Sequence, residues 1–127
     1  MQTNSVFEYA VIRVVPRVER EEFLNVGVVL YCRKLKFLKV SFELDEARLK
    51  IFSKDLDVSE IKEHLHAFQR ICEGGKTAEP IGLLPLADRF RWLTATRSTI
   101  VQTSKVHPGL CVHPENTLIK LFNEQVL

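Results

Sequence analysis

Two apolar runs dominate the first quarter of the chain, FEYAVIRVVP at residues 7–16 and FLNVGVVLYC at residues 23–32. In the first, Phe7, Tyr9, Val11 and Val15 share one side of an extended backbone with Arg13, and Ala10, Ile12 and Val14 share the other with Glu8. Both sides are mainly apolar, which predicts a central strand covered on each face. Pro16 ends it, because proline has no N–H to give to a ladder. In the second run Leu24, Val26, Val28, Leu30 and Cys32 form an unbroken apolar face that should meet the core, with Phe23, Asn25, Gly27, Val29 and Tyr31 opposite. A charged link containing Glu19, Arg20, Glu21 and Glu22 joins the two runs. Arg33, Lys34, Leu35 and Lys36 then make a polar turn into FLKVSF, where Leu38, Val40 and Phe42 alternate with Lys39 and Ser41 as in a hairpin partner with one wet face.

Further along, the spacing changes from two to between three and four. LDEARLKIF at residues 44–52 fits a short helix presenting Leu44, Leu49 or Phe52. Asp57 three residues before Glu60 has the form of a capping box, and Val58, Ile61, Leu65, Phe68 and Cys72 recur at helical spacing until Gly74 and Gly75 stop them. GGKTAEPIGLLP at residues 74–85 reads as a mobile loop rich in glycine and proline, too short to separate two domains. Pro85 suits the first turn of a helix over LADRFRWL, with Leu86, Phe90 and Leu93 as its core stripe. STIVQTSKV is the fourth strand expected, ended by Pro108 and Gly109, and the tail from Pro114, with Leu118, Ile119, Leu121, Phe122 and Val126, suits a closing amphipathic helix. Early strands followed by helices predict a single α+β domain over residues 1–127, an antiparallel sheet of about four strands with helices mainly on one face.

Composition narrows the functional classes. A chain of 127 residues can bury one core without a metal or disulfide staple. Eighteen Lys and Arg against sixteen Asp and Glu leave +2, so overall charge argues for neither a nucleic-acid nor a membrane partner. Cys32, Cys72 and Cys111 are an odd number with no close-spaced pair, which excludes a CxxC motif and points to a reducing cytoplasm. The N-terminal residues do not have the pattern of a signal peptide, and the longest apolar run, at residues 26–32, is far shorter than the ~20 residues that span a bilayer.

No arrangement of residues demands a reaction. His107, Cys111 and His113 spell H-x3-C-x-H, a plausible zinc set with its fourth ligand missing, and Pro108 and Pro114 already account for the turns there. His64 and His66 lie about 200° apart on a helix and do not converge on one ion. No serine occupies a nucleophile elbow. The expectation is therefore no cofactor, no metal and no catalytic residue. Arg89, Arg91, Trp92 and Arg97 offer guanidinium groups beside an aromatic ring, a pattern able to grip phosphates and stack on bases, although Arg89 also reads as a solvated residue of a core-packed helix. The basic tip of Arg33, Lys34, Lys36 and Lys39 and the acidic link with Glu19, Glu21 and Glu22 separate the charge, which favours steering toward a complementary protein. Asn25 and Gly27 interrupt an apolar strand, as a binding face or as a satisfied amide and a glycine under a neighbour such as Tyr9.

YAVIRVVP followed by EEFLNVGVVLYC resembles the opening of a bacterial family known as domain of unknown function 3037, through Tyr9, Arg13, Pro16, Glu22, Asn25, Val26, Gly27 and Val28. The resemblance implies a small stand-alone protein, often encoded beside a kinase that looks like the toxin kinase HipA, and it carries over no catalytic residue. It makes a protein partner the leading expectation, a HipA-like kinase being the candidate, with Arg13, Glu22 and Asn25 on the contact surface. The alternatives are nucleic-acid binding through Arg89, Arg91, Trp92 and Arg97, and a small metal-dependent hydrolase or nuclease using His107 and His113. Unpaired sheet edges also leave room for a homodimer, with Lys39 and Pro16 as edge protection.

Overall fold

The chain builds its sheet around strand β1, Ser5–Val14, which is flanked by antiparallel partners on both sides. β2, Leu24–Cys32, lies on one side and pairs in turn with β3, Phe37–Phe42. On the other side β4, Val101–Thr103, pairs with the end of β1, and β5, His107–Cys111, pairs with its beginning. This is a computed structural model that describes residues 3–17, 20–97 and 99–127; Glu19, expected in the acidic link, lies outside them.

Among the described residues four helices complete the α+β architecture: α1 over Glu46–Phe52, α2 over Val58–Glu73, α3 over Leu86–Leu93 and α4 over Pro114–Gln125. Each begins close to where the pattern places it. Asp45 and Asp57 cap α1 and α2, accepting hydrogen bonds from the amides of Arg48 at 3.1 Å and Glu60 at 3.2 Å, which satisfies donors that a helix start leaves free. Gly74 ends α2 at φ +80, a conformation open to glycine and costly for other residues.

Helices α1, α2 and α3 cover one face of the sheet, where Leu49, Ile61, Leu65, Phe68, Phe90 and Leu93 meet Ala10, Ile12, Val14, Val29 and Tyr31. Phe90 stacks on Tyr31 with ring centroids 5.3 Å apart. Helix α4 covers the other face alone, with Leu118 and Val126 against Phe7, Val28, Leu30, Cys32 and Cys111. The apolar patterning of both sides of β1 thus has a direct cause: there is a core on each side. Each fully buried Leu or Ile contributes roughly 1.5–3 kcal/mol relative to leaving it in water.

Two departures from the expected pattern are both bulges. Ile12 pairs with Gly27 but Arg13 pairs with Asn25, so Val26 is an extra residue in β2. The side chains reverse face there: Val26 and Leu24 join Val29 and Tyr31 on the side of α1–α3, and Val28, Leu30 and Cys32 face α4. The single unbroken face expected for Leu24 to Cys32 is in fact divided between two cores. Gly27 sits beneath β3 and not beneath Tyr9; a Cβ there would stand 2.7 Å from the Ser41 carbonyl oxygen.

The second bulge divides the outer side of β1 between two strands and gives, among the described residues, five strands where about four were expected. Between the Ile12–Thr103 and Tyr9–His107 pairs the outer chain has one more residue than β1. The strand also runs on through Pro108 and Gly109 instead of ending there. Val11 and Val15 both bond outward to this side, to Ser104 and Ile100. By alternation the residues paired with odd-numbered β1 positions turn inward, and Pro108, opposite Glu8, turns its missing N–H toward the open edge.

The expected loop at residues 74–85 folds into two short 3₁₀ turns, Lys76–Ala78 and Ile81–Leu83. No helix among the described residues is long and apolar enough to cross a membrane.

Candidate functional site

Helix α3 is held by Leu86, Phe90 and Leu93, which turn inward, so the geometry of the helix turns Trp92 outward. Trp92 remains 40% exposed, although it carries the largest apolar surface of any side chain type. It stands between two clefts. One, of about 240 Å³, lies between Trp92 and Arg97 on one side and His64, Phe68 and Val101 on the other. The second, of about 250 Å³, runs from Trp92 to Arg70, Thr77, Glu79 and Ile81. Ala67 and Ile71, four residues apart on α2 and therefore on one face of it, line both clefts.

Arg97 completes this surface. Its guanidinium carbon lies 4.0 Å from the centroid of the Trp92 ring, and Nη2 donates to the Trp92 carbonyl. Burial pulls its pKa below the ordinary arginine value, yet a guanidinium remains charged at neutral pH. Among the described residues neither Arg97 nor Arg70 has a carboxylate within ion-pair distance.

The four residues singled out as a basic aromatic patch therefore separate. Arg89 is turned into the structure: Nη1 donates to the carbonyls of Ile71 and Cys72, both at 3.0 Å, and Nε donates to Leu84 at 2.9 Å. It closes the C-terminus of α2, where carbonyls lack helical partners and a positive charge is favoured by the helix dipole. Arg91 is exposed next to Trp92, about 100° around α3 from it. Only Trp92 and Arg97 are joined.

Arg13, Glu22 and Asn25 all lie at the end of the sheet where β1 leaves and β2 enters. Arg13 and Asn25 are cross-strand partners at the first bulge, and the Arg13 guanidinium covers the Phe23 ring at 4.0 Å. Asn25 donates from Nδ2 to the Gln125 carbonyl at 3.0 Å, tying β2 to the end of α4. Arg13 Nε and Asn25 Oδ1 are buried without a hydrogen-bond partner among the described residues. Glu22 points elsewhere, into a cleft of about 210 Å³ beside Phe52 and Lys54, and is paired with Arg20 at 2.8 Å. A separate cleft of about 160 Å³ contains Asn25, Glu43 and Arg48.

Among the described residues no three His, Cys, Asp or Glu side chains converge as a metal site would require. His107 packs against Tyr9 with ring centroids 5.4 Å apart, His113 occupies the residue before the first turn of α4, and Cys111 is buried. His64 lies 3.9 Å from Glu60, and His66 is against Phe42.

Sequence reasoning found Trp92 and Arg97 but not the clefts beside them. The available signal was phase: Trp92 is about 200° from Phe90 around the helix, so a large aromatic residue sits off the core stripe. Ala67 and Ile71 read only as members of α2.

In comparison with known proteins, the family model described as "Protein of unknown function (DUF3037)" matches residues 9–126. Neither a curated protein nor a solved structure matches the chain.

Proposed function

We propose, because the chain belongs to the DUF3037 family, that it acts as a binding module for another protein, an accessory or regulator of a HipA-like kinase in the bacterial cytoplasm. The observation that supports this reading is the exposed Trp92 set between two clefts floored by Ala67 and Ile71. Partly exposed aromatic residues in apolar depressions are the typical anchors of protein interfaces. Each cleft, at about 240 and 250 Å³, is of a size suited to one side chain of a partner.

Nucleic-acid binding draws on the same Trp92–Arg97 pair but loses Arg89, whose guanidinium is spent on three carbonyls. A phosphate-tracking surface needs several free cations in a row, and one of the three guanidinium groups is withdrawn.

The test is co-expression with a HipA-like kinase from the same bacterium, followed by size-exclusion chromatography. A stoichiometric complex is expected. Separate elution of the two proteins at micromolar concentration overturns the kinase assignment.

A further inference from the structure

The geometry points to a more specific occupant: we infer that the groove formed by the two clefts takes an acidic segment of a partner protein, with an apolar side chain on each side of Trp92. This rests on the protein-binding reading above. Three features carry it, and none depends on the identity of the partner.

The first is continuity. Ala67 and Ile71 belong to both clefts, so these are two halves of one depression along α2, divided by the Trp92 ring. The small side chain of Ala67 opens the floor, and Phe68, Ile81 and Val101 make the walls apolar. A chain segment crossing the ridge would place one apolar side chain in each half.

The second is charge. Each half has its own guanidinium, Arg97 in one and Arg70 in the other, and neither is neutralised by a carboxylate among the described residues. Among the described residues Glu79 is the one carboxylate lining either half, and His64 lies in the Arg97 half. Arginine is suited to bidentate capture of carboxylates, so the unfilled pairings favour Asp or Glu on the occupant. Charge complementarity of this kind selects the partner and speeds the encounter.

The third is the ring itself. Arg97 already covers one face of Trp92. A nucleobase would have to displace it or stack on the one remaining face. An aliphatic or aromatic side chain has no such requirement.

Trp92 is the only tryptophan in the chain, so its emission reports on this site directly. The full-length protein is used to select binders from a random 16-residue peptide display library, with counter-selection on Trp92→Ala. Selected peptides are then synthesised and titrated by Trp92 fluorescence. Expected is enrichment of sequences with two apolar residues flanked by Asp or Glu. These should change the Trp92 emission and bind at least tenfold more weakly to Arg70→Glu and to Arg97→Glu, with the circular dichroism melting curve retained in Arg70→Glu. Failure to recover any peptide that discriminates against Trp92→Ala, or recovery of neutral or basic ones, overturns the inference. Quenching of Trp92 by a 15-residue oligothymidylate, with tighter binding than the selected peptides, also overturns it and assigns the groove to nucleic acid. Persistence of the kinase complex in Trp92→Ala would leave the binding-module reading standing and remove the groove from it.

Discussion

The hydroxyl of Ser104 accepts a hydrogen bond from the amide of Val11 at 2.8 Å, at the point where the edge of the sheet is broken between β4 and β5. The Ser104 amide returns a bond to the Val11 carbonyl at 2.8 Å, and the hydroxyl donates to the Lys105 carbonyl at 2.9 Å. A side chain thus replaces the backbone acceptor that the bulge removes, and it does so inside the structure, where Ser104 is 7% exposed.

Replacing Ser104 with alanine leaves the Val11 N–H buried without an acceptor. The cost of such a group is about 1–3 kcal/mol, more than the loss of a solvent-exposed hydrogen bond. The expected result is a lower urea midpoint with an unchanged slope and faster hydrogen exchange at Val11 than at Ile12. Equal exchange at both positions would place the acceptor elsewhere.

Arg89 predicts a second effect, on α2 and not on binding. Its three hydrogen bonds to the carbonyls of Ile71, Cys72 and Leu84 join the end of α2 to the start of α3. Arg89→Met keeps much of the apolar stem and removes the donors, with an expected loss of about 1.5–3 kcal/mol, the range for hydrogen bonds that involve a charged group. Gly74 is coupled to it, since a Cβ there would stand 2.5 Å from Arg89 Nη1. Gly74→Ala should therefore destabilise the parent more than it destabilises Arg89→Met, apart from the common cost of its φ of +80. A double-mutant cycle in urea measures the difference, and additivity would mean that the contact carries no energy.

These residues also show how much could be read in advance. The sheet nucleus, the cap of α2 and the stripes of α2 and α3 were legible because each follows from local spacing and local hydrogen-bond chemistry. The bulge at Val26 was not. Alternation in the run from Leu24 to Cys32 leaves one phase apolar throughout, so nothing in the pattern marks where the faces exchange, and only pairing with β1 and β3 decides it. Pro108 misled for a related reason: proline ends an inner strand, but an edge strand accepts it where its missing N–H faces away from the sheet. Membership of the family was legible from the first strand pair, and the match extends over residues 9–126. The site was partly legible. Trp92 and Arg97 are near in sequence, whereas their neighbours Ala67, Ile71 and Ile81 come from other elements and have ordinary core identities.

Cys72 gives a pH prediction. Burial against Phe68, Ile71 and Phe90 disfavours the thiolate and pushes its pKa up to about 12 from the usual 9.0, with the Arg89 charge opposing the shift and Glu73 adding to it. The folded chain therefore holds this proton more tightly than the unfolded chain does. That contribution to stability is fully present below about pH 9 and is lost as pH rises toward 12, because the unfolded state ionises first. Lysines and tyrosines also titrate in this window, so the informative quantity is the difference between the parent and Cys72→Ala. Between about pH 8 and pH 10.5 the urea midpoint of the parent should fall further than that of the variant, and native-state alkylation of Cys72 should stay slow at both values, since the thiolate is the reactive form. Parallel curves, together with rapid alkylation, would mean that Cys72 is open to water and that the end of α2 is not closed as Arg89 and Gly74 hold it.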